Sequence, residues 1–258
     1  MKIGRGLDIA MDASMIFQYG PLCFGPDQEF RKLDEIRASL LDRDCTGPEI
    51  VYAIAMDVGK TAHRAQLRQM MLLFGVVGYA TGRLGKEPVR SQGHVHRRSL
   101  HSGWSPPEVY EIWEGQAIVY MQEFVTDDPG RCFAIAAKKG DIIMVPPGWA
   151  HATISADVAA PLVFGAWCDR EYKFDYEQVR ARRGLAWYPL LDTGNNITWK
   201  VNECYRSSEL IIKNARTYED FGIEEAVPIY RQFEADPGRF QFVSRPWLMK
   251  DRWKHFVP

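Results

Sequence analysis

The feature that most constrains the fold is a series of short apolar runs that begins at Glu49. The runs are rich in Val, Ile, Phe and Tyr, and Gly, Pro and Asp residues separate them. This rhythm is typical of strands in an all-β barrel or sandwich. Two separating segments, Asp127–Gly130 and Lys138–Asp141, have the composition of tight turns. The sequence therefore predicts an all-β core over residues 49–175. The runs are EIVYAIAMDV, QMMLLFGVVGYATG, EVYEIWEGQAIVYMQEF, RCFAIAAKKGDIIMVPPG, HATISAD and PLVFGAWC.

Two extensions flank this core. In residues 1–48, the apolar spacing within Phe30–Asp44 predicts an amphipathic helix. In residues 176–258, we expect a short helix that ends at Gly184, a β-hairpin around Gly194, one more strand in SSELIIK, and helical pieces divided at Pro228. The aromatic, basic tail is expected to pack on the barrel or on a second subunit. No linker composition is present, so residues 1–258 are predicted to form one domain.

Composition excludes several classes of function. The net charge is −1, which gives no general attraction to nucleic acid or to anionic lipid. The longest apolar run, Met70–Ala80, is too short to cross a bilayer, and the first residues do not resemble a signal peptide. The five cysteines are scattered and odd in number. They favour a reducing, cytoplasmic location. The charge and the short apolar runs together leave a small molecule, rather than nucleic acid or a membrane, as the expected partner.

Two of the six histidines, His94 and His96, are two residues apart in GHVHRR. On a strand, residues i and i+2 face the same side, so both side chains could point into a barrel and bind a metal. The alternative is a pair of surface histidines on an edge strand. The pair alone does not decide between these two interpretations.

Later strands supply two further candidate ligands. Glu108 lies on the next predicted strand, and Gly115 follows it as a turn residue. His151 comes directly after a strand and a Pro-Gly turn. Three neutral imidazoles and a carboxylate suit a divalent ion such as Fe²⁺, Mn²⁺, Ni²⁺, Co²⁺ or Zn²⁺. Four protein ligands on an octahedral ion would leave two positions open for water or substrate.

These residues resemble the two motifs of the cupin superfamily. The first motif has H-x-H, then Glu, then Gly seven residues later, as in Glu108 and Gly115. The second motif, G-x5-P-x-G-x2-H-x3-N, is matched with Ser in place of the final Asn. Its matched positions are Gly140, Pro146, Gly148, His151 and Ser155. The resemblance implies a cupin double-stranded β-helix, or jelly-roll barrel, with N-terminal and C-terminal α/β extensions.

The spacing departs from the first motif at one place. Eleven residues separate His96 from Glu108, where the superfamily has three or four. The insert RRSLHSGWSPP is predicted to form a longer hairpin loop between the two strands. It brings in His101 as a rival ligand, although a strand holds a metal more firmly than a loop does.

Within the superfamily, the chain resembles the cupin-type phosphoglucose isomerases, which are mostly archaeal. Their hallmark is Thr-x-Gly-His-x-His, then a strand like Ala-Glu-Val-Tyr, then Val-Pro-Pro-x-Trp-Ala-His. The corresponding segments here are Ser91–His96, Pro107–Tyr110 and Val145–His151. The resemblance implies one divalent metal ion bound by His94, His96, Glu108 and His151.

The resemblance also implies a reaction, the interconversion of glucose 6-phosphate and fructose 6-phosphate or of a related sugar. A metal bound to the substrate oxygens O1 and O2 would stabilise an enediolate, while a carboxylate moves the proton between C1 and C2. Glu108 is the candidate for both ligand and base, and Tyr110 could donate a hydrogen bond to it, or could be a core aromatic. Ser91 and Gly93 could bind the phosphate, or could simply begin a strand.

Three departures keep the substrate open. Ser91 replaces a threonine that binds phosphate in the family, Cys168 stands where a phosphate-binding tyrosine is usual, and Gly148 replaces an aromatic residue. Two other functions therefore stay open, a cupin oxygenase or decarboxylase and a non-catalytic sugar-binding cupin. The resemblance further implies a homodimer.

Overall fold

The computed structural model describes residues 1–258. The strands are β1 (Ile9–Met11), β2 (Phe17–Tyr19), β3 (Cys23–Phe24), β4 (Glu29–Lys32), β5 (Ile50–Lys60), β6 (Leu72–Tyr79), β7 (Arg83–Leu84), β8 (Glu87–Pro88), β9 (Val95–His96), β10 (Glu108–Glu114), β11 (Gln116–Gln122), β12 (Cys132–Lys138), β13 (Ile142–Val145), β14 (Ala150–Ser155), β15 (Leu162–Asp169), β16 (Phe174–Asp175), β17 (Trp187–Leu191), β18 (Ile197–Val201) and β19 (Leu210–Asn214). The α-helices are α1 (Leu33–Ile36), α2 (Arg64–Gln69), α3 (Glu177–Ala181), α4 (Ile229–Ala235), α5 (Gln241–Ser244) and α6 (Lys250–Lys254). The 3₁₀ turns are Arg37–Ser39, Thr61–His63, Glu219–Phe221, Pro237–Phe240 and Pro246–Met249. None of the helices combines the length and the apolar character needed to cross a bilayer.

Two sheets form the barrel. The larger has seven strands in the order β13-β10-β15-β6-β5-β3, with β4 also paired to β5, and the smaller has the order β14-β11-β12-β19. The chain passes from β10 in the larger sheet to β11 in the smaller sheet at Gly115. Gly115 has φ +77°, and a Cβ there would lie 2.5 Å from the carbonyl oxygen of Pro161. Only glycine fits this corner, because other residues disfavour positive φ and would clash with the backbone.

The space between the two sheets is filled by apolar side chains from both of them. The larger sheet contributes Tyr52, Ile54, Val77, Tyr110, Ile112 and Phe164, and the smaller contributes Val119, Met121, Phe133 and Ile135. These residues alternate along each strand with residues of the opposite face, as strand geometry requires. The predicted all-β barrel is therefore present, with its core between the sheets.

The outer face of the larger sheet is also buried. Trp113 and Trp167 lie on it and pack against Tyr230, Phe240 and other side chains of both extensions. The rings of Trp167 and Tyr230 are stacked, with centroids 5.5 Å apart. The C-terminal extension therefore packs on this chain's own barrel. Because both faces are covered, β6 and β15 are buried along their whole length, which explains why the runs are almost continuously apolar.

The predicted helix over Phe30–Asp44 is wrong for most of its length. Phe30 belongs to β4, and only Leu33–Ile36 is α-helical before a 3₁₀ turn. Leu33, Ile36 and Leu40 are nevertheless buried in the inner core. The apolar spacing therefore predicted correctly which residues are buried. The first part of the segment is nevertheless extended, because β4 pairs with β5.

The predicted hairpin loop before Glu108 is also different. β9 pairs with β16, not with β10, and the intervening segment folds back through a bond from the Ser99 N–H to the Trp104 carbonyl. The expected hairpin around Gly194 is present as β17 and β18. The expected strand in SSELIIK is β19, which pairs in parallel with β12.

Candidate metal centre

Backbone pairing brings His94 and His151 together. The N–H of His94 donates to the carbonyl of His151 at 3.1 Å, and the reverse bond is 3.0 Å long. Residues directly opposite each other in an antiparallel pair project to the same face. The two rings therefore meet, with centroids 4.3 Å apart.

His96 lies two residues after His94 and faces the same side, as its spacing predicted. Its ring centroid is 5.1 Å from that of His94 and 5.0 Å from that of His151. Nδ1 of His96 is 2.8 Å from the carbonyl of Pro106, and Nδ1 of His151 is 3.2 Å from the carbonyl of Trp149. A carbonyl can only accept, so each Nδ1 donates and each Nε2 is left with a lone pair directed inward.

Glu108 reaches the same point from the larger sheet. Its Oε2 atom is 3.3 Å from Nε2 of His96 and 3.5 Å from Nε2 of His151. One ligand atom from each of His94, His96, Glu108 and His151 lies within 4.8 Å of the others. The three Nε2 atoms are buried and have no hydrogen-bond partner. An unpaired buried polar atom costs about 1–3 kcal/mol, so a cluster of three indicates a missing ligand.

The charge states of His94, His151 and Glu108 suit a divalent cation, whereas for His96 the lowering effect of burial is outweighed by Glu108, which raises its pKa. Burial, together with His151 and His96, holds the pKa of His94 well below its ordinary value. Burial also lowers the pKa of His151. Burial alone would raise the pKa of Glu108, but the close His151 and His96 side chains hold that pKa well below the ordinary value. Neutral imidazoles and an ionised carboxylate are the forms that bind metal, and this mixed N/O set fits a borderline divalent ion. The cluster could therefore hold one metal ion.

Both oxygens of Glu108 accept further hydrogen bonds. The Tyr110 hydroxyl donates to Oε2 at 2.8 Å, and the Cys168 thiol donates to Oε1 at 2.7 Å. Burial and the neighbouring Glu108 charge raise the pKa of Tyr110 and of Cys168 well above their ordinary values. Both groups are therefore protonated donors at neutral pH and fix the orientation of the carboxylate.

A small cavity opens beside this cluster, between the sheets. Ser91, His94, Glu108, Tyr110 and His151 supply its polar groups, together with Thr153 and three further tyrosines. Most of its other walls are aliphatic or aromatic, and no Arg or Lys lines it. The lining residues are Tyr52, Ile54, Met56, Gly75, Val77, Tyr79, Ser91, His94, Glu108, Tyr110, His151, Thr153, Phe164, Ala166, Phe174 and Tyr176.

Comparison with known families identifies the chain. The family model described as "Glucose-6-phosphate isomerase (GPI)" matches residues 34–206, which is more than half of the sequence. The chain belongs to the glucose-6-phosphate isomerase family. This confirms the family and the enzyme class, an isomerase, that the motifs predicted.

Three curated proteins named as glucose-6-phosphate isomerases, one of them as putative, are similar to the chain at low identity. A glucose-6-phosphate isomerase of Thermococcus gammatolerans is 24% identical over 163 residues, which cover 61% of this chain and 78% of that protein. Another, of Pyrococcus abyssi, is 27% identical over 124 residues, covering 46% of this chain and 60% of that protein. The match to a putative glucose-6-phosphate isomerase of Rhizobium meliloti, at 26% identity, spans 35% of its length.

Solved structures with partial similarity include an oxalate oxidase and the oxalate decarboxylase of Bacillus subtilis. The first has a TM-score of 0.36 at 13% identity, covering 48% of this chain and 53% of that chain. The second has a TM-score of 0.34 at 16% identity, covering 50% of this chain and 28% of that chain. Because both TM-scores are low, the fold of this member of the glucose-6-phosphate isomerase family rests on its own two-sheet topology.

The structure brings together most, but not all, of the residues singled out in the sequence. His94, His96, Glu108 and His151 converge, and His101 lies apart from them on an exposed loop. Of the other three predicted site residues, Tyr110 contacts Glu108. Ser91 lines the cavity, whereas Gly93 does not line it. Gly93 has φ +85°, and a Cβ there would lie 2.9 Å from Leu185, so packing alone requires glycine.

The contact between Cys168 and Glu108 was missed. No contact with the candidate metal ligands was predicted for Cys168, because nothing local indicates which strand pairs with β10. The pairing of β10 with β15 places Trp167 opposite Val109, so Cys168 comes next to Glu108. The sequence of neither strand alone predicts this register.

Proposed function

We propose that this chain is a metal-dependent aldose–ketose isomerase that interconverts glucose 6-phosphate and fructose 6-phosphate or a closely related pair of sugars. One observation carries the proposal. In a chain of the glucose-6-phosphate isomerase family, three unpartnered imidazole nitrogens and one carboxylate converge beside a cavity between the two sheets.

His94, His96, Glu108 and His151 would hold one divalent ion. Bound there, the ion would act as a Lewis acid that polarises a substrate carbonyl and stabilises negative charge on oxygen. The candidates are Fe²⁺, Mn²⁺, Ni²⁺, Co²⁺ and Zn²⁺, which all accept a set of imidazoles and a carboxylate.

The same carboxylate is our candidate for the proton carrier between C1 and C2. Glu108 lines the cavity, and the hydrogen bonds from Tyr110 and Cys168 set the plane in which its oxygens lie. These bonds stabilise the ionised form, so Glu108 starts each cycle deprotonated but weakly basic. Tyr110 is close enough to follow the proton, because its hydroxyl already touches Oε2.

Ser91 is the second substrate contact that we propose. Its hydroxyl lies in the cavity wall beside Tyr79 and accepts the Thr153 N–H at 3.1 Å, so its own proton can turn to Tyr79 or to a substrate oxygen. Gly93, the other predicted contact, would contribute only indirectly. Its positive φ sets the course of the backbone between Ser91 and His94.

A coupled assay tests the proposal. The protein is stripped with a chelator, reloaded with each candidate ion, and assayed for glucose 6-phosphate formation from fructose 6-phosphate. We expect turnover only with metal present. Absence of turnover with every sugar phosphate on fully loaded protein would refute an isomerase. Oxygen uptake or CO₂ release would indicate an oxygenase or decarboxylase, and saturable sugar binding without turnover would indicate a binding protein.

The ligand set has its own test. We expect His94→Ala and His151→Ala each to lose most of the bound metal, measured by elemental analysis of purified protein. His101→Ala is the matched control, because His101 lies on an exposed loop outside the cluster. Stoichiometric metal in both cluster variants would overturn the assignment.

We also propose that the whole chain is one domain and forms a homodimer in the cytoplasm. The C-terminal extension shares a core with the larger sheet, which supports one cooperative unfolding transition. Because the C-terminal tail packs on its own barrel, its apolar character no longer supports a dimer. The dimer is therefore proposed from the family resemblance alone. Light scattering in solution measures the subunit number directly.

A further inference from the structure

The cavity lining holds no cationic side chain that could pair with a phosphorylated substrate. A phosphate monoester carries a charge of about −1.5 to −2 at neutral pH. Burying such an anion without a cation is costly, and Arg is the side chain best shaped to pair with it. No Arg or Lys lines the cavity, and buried Arg90 is occupied by Glu87 and by the Ser39 carbonyl.

The register of β4 and β5 points to one guanidinium at the rim. Arg31 lies directly opposite Tyr52, and Glu29 lies opposite Ile54. Opposite residues of an antiparallel pair share a face, and both Tyr52 and Ile54 line the cavity. Phe30, between them, packs against the outer core instead. Arg31 and Glu29 therefore extend the inner face of the larger sheet beyond the cavity mouth.

The surroundings of Arg31 suit an anion. Its side chain is only 22% exposed and is bound to Glu29 at 2.9 Å. Burial raises the pKa of Tyr176, another lining residue, and the nearby Arg31 guanidinium opposes that rise. Glu29, in contrast, is 67% exposed and has little else to hold it. An exposed ion pair of this kind contributes little stability, so a stronger anion can displace the carboxylate.

We propose that Arg31 is an anion subsite at the rim of the cavity, where it binds the phosphate of a sugar phosphate while Glu29 occupies the guanidinium in the absence of substrate. The inference rests on the proposed function for the identity of the substrate. Arg31 precedes residue 34, where the match to the family model begins, so the subsite lies outside the matched motif.

Titration of the metal-loaded protein with inorganic phosphate, followed by calorimetry, tests the subsite without any turnover. We expect Arg31→Gln to weaken phosphate binding about tenfold or more, since a charge-assisted pair is lost. We expect Glu29→Gln to tighten binding, because the competing carboxylate is removed. Arg97→Gln is the matched control, because Arg97 is an exposed guanidinium near the histidines that faces Asp175 and Glu177. We expect no change in that variant.

Several results would overturn the subsite. These are unchanged phosphate affinity in Arg31→Gln, equal weakening in Glu29→Gln, or a loss confined to Arg97→Gln. Unaltered thermal unfolding and metal content in Arg31→Gln separate lost binding from lost folding, and Arg31→Lys should keep part of the affinity if charge is the cause.

Steady-state kinetics give a second, distinguishable readout. With a sugar phosphate, Arg31→Gln should raise KM about tenfold with little change in kcat, because the contact is the same in the ground and transition states. If the wild-type protein binds phosphate through Arg31 but turns over no sugar phosphate, the proposed function fails and the subsite stands. If it turns over sugar phosphates equally well in both forms, the subsite fails and the proposed function stands.

Discussion

Replacement of Cys168 by alanine would test how strongly the surroundings of Glu108 tune the metal centre. The thiol is fully buried on β15 and donates to Oε1 of Glu108, while Tyr110 donates to Oε2. In Cys168→Ala, Oε1 loses its only protein donor, and the carboxylate can rotate about the remaining bond to Tyr110. The variant therefore leaves all four metal ligands in place and changes only what orients one of them.

The expected magnitude follows from the position of the thiol behind a metal ligand. Loss of such an outer partner typically costs about 10–100-fold in metal affinity or activity. A thiol is a weak donor, so we expect the lower end, about tenfold, for Cys168→Ala. Cys168→Ser keeps a donor of similar reach and should recover most of that loss. A purely space-filling role of the sulfur predicts the opposite, because serine would then bury a polar group without gain.

Competition with a calibrated chelator measures the metal affinity of each variant, and urea unfolding of the metal-free protein measures its stability. Cys132→Ala is the matched control, because Cys132 is an equally buried thiol on β12 with contacts to Gly130 and Ser208 instead. We expect a similar loss of stability in both alanine variants but reduced metal affinity only in Cys168→Ala. Equal metal affinity in the two variants would refute the positioning role of Cys168.

Three other changes have expected outcomes. Tyr110→Phe removes the hydroxyl that contacts Glu108, so kcat for the isomerase reaction should fall about tenfold or more while the unfolding midpoint changes little. Arg5→Ala leaves the Glu111 carboxylate, which is 1% exposed, without its ion pair, and should cost about 3 kcal/mol in urea unfolding at neutral pH. Burial raises the pKa of Glu111, so the charged carboxylate is disfavoured in the folded state. The stability lost in Arg5→Ala should therefore shrink as the pH falls and Glu111 becomes protonated. A loss of stability that does not change with pH would contradict this cause. Gly115→Ala forces positive φ and a clash with the Pro161 carbonyl, and should destabilise by at least about 2 kcal/mol; an unchanged unfolding midpoint would contradict the corner geometry.

The candidate metal ligands were predictable because local rules determine which of their side chains share a face. Alternation along a strand fixes that His94 and His96 share a face whatever the strand pairs with. His151 follows a Pro-Gly turn whose composition is visible in the sequence. For these residues, a pattern over three to seven positions carries enough information, and the structure brings the side chains together as predicted.

The rest depended on pairing between distant segments. The helix predicted over Phe30–Asp44 failed because Glu29–Lys32 pairs with β5, and such pairing overrides a weak apolar period. β9 pairs with β16, about eighty residues later, so the loop before Glu108 is not the expected hairpin. In each case the competing partner lies far along the chain, where the periodicity of one segment gives no information.

This division separates the two ends of the proposed active site. The proposed metal end is specified by residue type, because imidazoles and a carboxylate at this spacing form a ligand set that suits a divalent ion. The anion end is specified by register, because Arg31 faces the cavity only while it lies opposite Tyr52. A shift of β4 by one residue would turn Arg31 to the outer face and bring Phe30 or Lys32 to the rim. Substitutions at Ser91 and Cys168 therefore say little about phosphate binding by themselves, since a cation on the adjoining edge strand can serve the same substrate group.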